Sequence, residues 1–177
     1  MAIVARYGKP DLFITFTCNP RWPEIRDNLE GRQKWEHRPD LVCRVFKRKL
    51  DAFIDDIVHK QIYGIVLSYM YVIEFQKRGL PHAHITVTFM PDDKLLTVED
   101  VDAVISAVIP DRQVQPEMYA LVAANHLHCS GRPHDETAPC MTDDREGRRS
   151  CSKFFPKPNR DVTVLNLRKA SGFAEYR

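Results

Sequence analysis

The sequence predicts an α+β fold, an antiparallel sheet flanked by helices, and three observations carry that expectation. Apolar and polar residues alternate with period two near residues 12–18, 63–76 and 82–89, which is the signature of strands. A long apolar stripe at helical spacing separates the first of these stretches from the second. The second and third are joined by only a short basic turn, Lys77-Arg78-Gly79, so they read as the two arms of a hairpin. The order strand, helix, helix, hairpin, helix, helix completes an antiparallel sheet covered by helices.

Residues 1–10 read as irregular chain ending in Gly8-Lys9-Pro10. In the first strand Leu12, Ile14, Phe16 and Cys18 share one face, and Phe13, Thr15 and Thr17 share the other. Asn19-Pro20 stops it, and Pro23 opens a short helix to about Asn28. Pro39 starts a stronger helix to about His59, with Leu41, Val42, Val45, Phe46, Leu50, Phe53, Ile54, Ile57 and Val58 on its apolar side. Arg44, Lys47, Arg48 and Lys49 lie towards its outer side. The stretch from Tyr63 to Gln76 exceeds the usual strand of roughly five or six residues, so a bulge is expected near Ser68. Its bulky face, from Tyr63 to Phe75, is expected to pack on the preceding helix. Beyond the turn at Pro91-Asp92-Asp93, Thr97 with Asp100 three residues on makes a capping box for a helix that Pro110 ends. Pro116 opens a last helix to about Asn125.

A chain of 177 residues is long enough to bury one ordinary core. Its apolar share of 44% and charged share of 28% are those of a soluble globular protein. No apolar run approaches the roughly 18–20 residues that span a bilayer, so no membrane role is expected. No apolar segment near the N-terminus reads as a secretory signal. Five cysteines, three of them interleaved with histidine in one segment, suit an intracellular metal site better than a disulfide framework. The net charge of +2 says little, but its distribution is uneven. Residues 91–145 hold 11 acidic and 4 basic side chains, and residues 146–177 hold 3 acidic and 8 basic. The expected organisation is a core over 1–125, a Cys/His segment over 126–158 and a basic extended tail over 159–177.

Two groups of residues carry chemistry. In the hairpin, His82 and His84 share one face with Thr86 and Thr88, while Ala83, Ile85, Val87 and Phe89 take the apolar face. Glu74 and Gln76 share a face of the preceding strand. Pairing of the two strands then sets an oxygen donor beside two imidazoles, which is a metal site with positions left for water or substrate. Gln76 is the first choice of oxygen ligand because it lies nearer the turn, and Glu74 carries the charge a hard cation prefers. Two histidines on a strand face are also commonly just surface residues. The second group is His126 and Cys129, three residues apart, with Cys140 and Cys151 completing a tetrahedral zinc set. His128 and His134 are spare candidates, and the loops between are rich in Gly, Pro, Asp and Arg, so a metal is their natural staple. Unliganded thiols in a loop are the alternative.

Several motifs in order resemble one family. Phe13-Ile14-Thr15-Phe16-Thr17-Cys18-Asn19-Pro20 is similar to the first motif of the Helitron helicase-like N-terminal (Rep) domain. Arg38-Pro39-Asp40-Leu41-Val42 with Arg44-Val45-Phe46 resembles its next signature. Glu74 to His84 resembles its His-hydrophobe-His motif, and Pro139-Cys140-Met141 with Cys151-Ser152-Lys153-Phe154-Phe155-Pro156-Lys157 its Cys-rich segment. The resemblance covers about residues 2–177. It implies an HUH-type single-strand DNA endonuclease of a rolling-circle transposon, located in the nucleus. In such an enzyme Mg²⁺ or Mn²⁺ on His82, His84 and Gln76 or Glu74 polarises the scissile phosphate, and a tyrosine attacks it. It further implies single-stranded DNA as partner, held by Lys77, Arg78, Thr15, Thr17, Asn19, Lys153 and Lys157, and a helicase domain in the same polypeptide.

The family's nucleophilic tyrosines lie downstream of the Cys-Ser-Lys-Phe-Phe-Pro segment, and none of Tyr7, Tyr63, Tyr69, Tyr71, Tyr119 and Tyr176 matches their motif. No Gly-x4-Gly-Lys-Ser/Thr loop occurs in the chain. The expectation is therefore a fragment that ends before its nucleophile. The competing expectation is a zinc-stapled DNA-binding module without chemistry. A two-motif phosphoesterase is set aside because its His-hydrophobe-Thr-hydrophobe motif, present at His84-Ile85-Thr86-Val87, has no second copy.

Overall fold

Strands β1 (Leu12–Thr17), β2 (Val66–Phe75) and β3 (Pro81–Phe89) form an antiparallel sheet in the order β1-β3-β2. The structure is a computed structural model that describes residues 2–75, 79–128, 140–143, 145–165 and 174–177. The chain divides into two compact units, Met1–Leu96 and Thr97–Arg177.

In the first unit, helix α1 (Ala2–Tyr7) occupies the segment expected to be irregular. Its run Ala-Ile-Val-Ala-Arg is short but contains no breaker, and Gly8 at φ +87° ends it in a conformation that favours glycine. Helix α2 (Pro23–Arg26) and helix α3 (Pro39–Val58) follow β1, each with proline in its first turn. At the start of α3, Arg38 donates two hydrogen bonds of 3.0 Å to the Asp40 carboxylate, so the Arg-Pro-Asp motif is a helix start.

β3 is central because it has partners on both sides, and its residues are correspondingly the most buried. Ala83, Ile85, Val87 and Phe89 are fully buried on one face, against Val42, Phe46, Leu50 and Ile57 of the α3 stripe. Each such large side chain contributes on the order of 1.5–3 kcal/mol when removed from water. Phe16 of β1 joins the two layers, with its ring 5.6 Å from Phe46, 5.3 Å from Phe53 and 6.0 Å from Trp22. The bulky face of β2 is less covered than expected. Tyr69, Ile73 and Phe75 are all exposed, because β2 is an edge strand and α3 packs over β3. The expected bulge is present: the β2–β3 register shifts between Val66 and Ser68. Asp11 closes the layer from below, its carboxylate accepting from the Phe89 N–H at 2.8 Å and from Lys94 at 2.9 Å.

In the second unit, helix α4 (Val98–Val104) begins with the expected capping box. The Asp100 N–H donates to Thr97 Oγ1 at 3.1 Å, and the Thr97 N–H donates to the Asp100 carboxylate at 2.9 Å. The helix ends at Val104, well before Pro110, and Val108 is exposed. Helix α5 (Pro116–Asn125) matches its expected span. Strands β4 (Met141–Asp143) and β5 (Arg149–Cys151) make a small hairpin that pairs Met141 with Cys151. Beyond residue 159, described residues of the second unit have partners within it. Thr163 is buried and donates to Asp102 at 2.5 Å, and Val164 bridges to Glu175. Among the described residues no helix is long and apolar enough to cross a membrane.

Candidate metal centres

The register of the sheet builds the first candidate site. Residues directly opposite in antiparallel strands share a face, so β1, β3 and β2 lay down three cross-strand rows: Thr17, His82 and Glu74; Thr15, His84 and Val72; Phe13, Thr86 and Met70. The two histidines project from the face away from α3 because Ala83 between them is buried in the core.

Each imidazole is oriented by a hydroxyl of β1. Thr17 Oγ1 lies 3.0 Å from His82 Nδ1, and Thr15 Oγ1 lies 3.3 Å from His84 Nδ1. That leaves both Nε2 atoms for other partners, and His84 Nε2 lies 3.2 Å from Glu74 Oε2. Two donors each about 2.1 Å from one octahedral ion stand roughly 3 Å apart, so this pair fits two adjacent ligands of a hard cation. His82 is buried, and burial pushes its pKa down, reinforced by His84 and opposed by Glu74. The ring is thereby kept neutral, the form that binds a metal.

The three groups do not all converge. Among the described residues the His, Cys, Asp and Glu donors that lie within 4.8 Å of one another are those of His128, Cys140 and Cys151, and the His82 set is not so close. Gln76, Lys77 and Arg78 lie outside the described residues. The register nevertheless removes the reason for preferring Gln76 on grounds of proximity: Glu74, not Gln76, is directly opposite His82. Asn19 is engaged locally, its side-chain oxygen accepting the Arg21 N–H at 2.9 Å. The tyrosines of β2, Tyr69 and Tyr71, pair with Val87 and Ile85 and so belong to the core face, away from the histidines.

The second candidate site lies in the second unit. His128 Nε2 is 3.3 Å from Cys151 Sγ, and Cys140 completes the group. These spacings suit adjacent corners of a zinc tetrahedron, where Zn–S is about 2.3 Å and Zn–N about 2.0–2.1 Å. The spare histidine is therefore the one brought in, and His126 stays exposed as the C-cap of α5. His128 follows two residues later, in the turn beyond the helix, which lets it swing towards the β4–β5 hairpin. Cys129 and His134 lie outside the described residues. The Cys151 thiol is drawn down to about 7 by the backbone N–H groups of Phe155 and Lys153, with His128 and Cys140 adding to them, so it favours the thiolate a metal needs. Phe155 stacks on His128 with ring centroids 4.1 Å apart. Lys157 lies over the Phe154 and Phe155 rings, and a cleft of about 1210 Å³ passes His128 and Cys151 with Arg149 and Arg160 on its walls.

Thr15 and Thr17 serve the histidines directly, a role that sequence reading missed. The signal was present, because Thr-x-Thr alternates in step with His-x-His, but pairing of strands 65 and 69 residues apart cannot be read from alternation alone.

A three-stranded antiparallel sheet with two imidazoles and a carboxylate on its open face defines an α+β protein with a candidate metal centre. Residues 1–87, just under half of the chain, match the family model of the Helitron helicase-like domain at N-terminus, so this stretch is similar to that region of Helitron-type transposases. The matched segment contains β1, α3, β2 and most of β3, and with them every residue of the histidine site. No curated protein matches the chain.

Proposed function

We propose that the first unit is the metal-binding half of an HUH-type single-strand DNA nicking and strand-transfer domain. The observation that carries this reading is the row Thr17–His82–Glu74 set beside Thr15–His84, inside the stretch that matches the Helitron helicase-like family. His82, His84 and Glu74 would hold a Mg²⁺ or Mn²⁺ ion, which when bound would supply Lewis acidity at a phosphodiester. The chain's own residues do the rest of the positioning. Thr15 and Thr17 fix the two rings, and Glu74 balances the charge of the ion and aligns His84. Gln76, outside the described residues, is the other oxygen donor offered for the ion. The tyrosine that attacks the phosphorus is not one of the β2 pair, whose side chains lie on the opposite face. It comes from elsewhere in the polypeptide, as does the helicase with which the domain would act.

In the same reading His128, Cys140 and Cys151 hold a structural Zn²⁺, with Cys129 or His126 as fourth ligand. Lys77, Arg78, Lys153 and Lys157 are the cations of the DNA path.

Calorimetric titration with Mn²⁺ tests the nuclease reading. The parent chain binds one ion, and His82→Ala combined with His84→Ala abolishes the binding while leaving the melting curve nearly in place. A parent that binds single-stranded DNA but takes up no Mn²⁺ at the histidines would be the non-catalytic zinc-stapled module instead.

A further inference from the structure

The open face of the sheet carries a side chain that the metal chemistry does not use. Phe13 is 69% exposed, in a strand whose neighbouring apolar residues are covered. It is not loose: its ring lies parallel to His84, at 12° and 5.8 Å between centroids. In the cross-strand rows it stands two residues from Thr15 and four from Thr17, so its row is next to the His84 row, which separates it from the His82 row. Two residues of strand span roughly 6.6–6.8 Å, about the step between neighbouring nucleotides in a drawn-out single strand. Met70 and Val72, 47% and 59% exposed, continue the apolar surface across β2.

From this placement we infer that Phe13 is a stacking platform for a nucleobase next to the phosphate that the histidines address, an inference that rests on the single-strand reading above. Stacking needs a flat ring with one free face, and Phe13 has one face towards His84 and the other open. A phosphate backbone needs cations beside it, and the charge around this end of the face fits. A cleft of about 360 Å³ lined by Ile3, Val4, Pro10, Met70 and Thr86 brings the α1 end of the chain to the Phe13 row. Arg6 in α1 and Lys9 just beyond it are exposed and among the described residues make no ion pair, Arg6 lying over the Tyr7 ring. The acidic side chains nearby are engaged: Asp11 with Lys94 and Phe89, Glu74 with His84. Because every base offers a π-face, the contact selects single strands over duplex without selecting a sequence.

The test compares the parent with Phe13→Ala and Phe13→Tyr, using an oligodeoxythymidylate and an abasic phosphodiester of equal length. Loss of one base–aromatic stack lowers affinity roughly 5- to 100-fold. Phe13→Ala should lose that factor on the oligothymidylate and little on the abasic strand, Phe13→Tyr should keep parental affinity, and Mn²⁺ binding should be the same in all three. An equal loss on both strands, or no loss on either, overturns the platform and leaves the single-strand reading standing. A parent that binds neither strand overturns both. A concentration-dependent dimer in the parent that Phe13→Ala dissociates would assign the face to a second copy of the chain and overturn the platform too.

Discussion

The histidine face and the His/Cys cluster both gather metal donors, and they do so by opposite means. His82 and His84 are placed by strand register, with Ala83 locked in the core between them and a threonine hydroxyl on each ring. His128, Cys140 and Cys151 are placed by a helix exit and a hairpin of three-residue strands, in a segment with few buried side chains. A site of the first kind exists before its ion arrives. A site of the second kind gets much of its order from the ion, because ligand binding and folding are then one equilibrium.

The sharpest way to break that contrast is from the core side. Ala83 is fully buried, paired with Phe16 and Ile73, and Ala83→Arg should unfold the first unit. An unpaired charge plus the added volume costs several kcal/mol, comparable to a whole domain's stability. A far-ultraviolet circular dichroism melt checks this, and a cooperative transition retained near the parental temperature would contradict it.

Next in size is removal of the staple. Purified protein should carry about one Zn²⁺ per chain, and Cys140→Ser or Cys151→Ser should release it. Hydrogen exchange should then accelerate over residues 140–165 while β1, β2 and β3 keep their protection. Protection in the second unit that survives complete zinc removal would mean that its ordering does not depend on the ion.

A smaller effect separates orientation from ligation. Thr17→Val removes the hydroxyl at His82 Nδ1 and leaves the ring in place, so Mn²⁺ affinity should drop by about ten-fold, the lower end for a lost partner of a ligand. The melting temperature should move by little. Unchanged affinity in titration calorimetry would show that the register alone sets the ring.

The smallest effect is a pH dependence. His82 has its folded pKa below the unfolded value of about 6.5, so the unfolded chain binds more protons. Stability is therefore full above that pH and declines as the pH falls through 6.5 towards the lower, folded value. Denaturant midpoints measured from pH 7.5 to 5 should fall, and His82→Gln should flatten the fall. An identical slope in the variant would assign it to other groups.

The same contrast explains what the sequence made legible. Alternation located β1 and β3, helical period located α3, and Thr97 with Asp100 located α4, because each of these is a local rule that the core reinforces. Bulky residues on β2 looked like core, yet Tyr69 and Phe75 are exposed, since alternation reports a face and not whether another layer covers it. The short apolar run of α1 lacked the length that makes a helical period visible. In the second unit, His126-x2-Cys129 drew attention by spacing, whereas His128 enters the cluster through the path of the loop, which spacing does not encode. Nearness to the turn favoured Gln76, whereas the register sets Glu74 opposite His82, which alternation along one strand does not encode.

The order β1-β3-β2 also has a kinetic side. β2 ends at Phe75 and β3 begins at Pro81, close along the chain, whereas β1 meets β3 across a stretch that includes all of α3. Closing that long loop is the entropically harder step, so β1 should dock after the β2–β3 arms have zipped together. Thr15 and Thr17 arrive with it. During refolding, a chain can therefore have its hairpin formed and both imidazoles in place and still lack the hydroxyls that aim them. In a stopped-flow experiment with Mn²⁺ present, ion capture should lag behind the growth of β signal, and the lag should lengthen when a destabilising change is made in β1 but not when one is made in the β2–β3 turn.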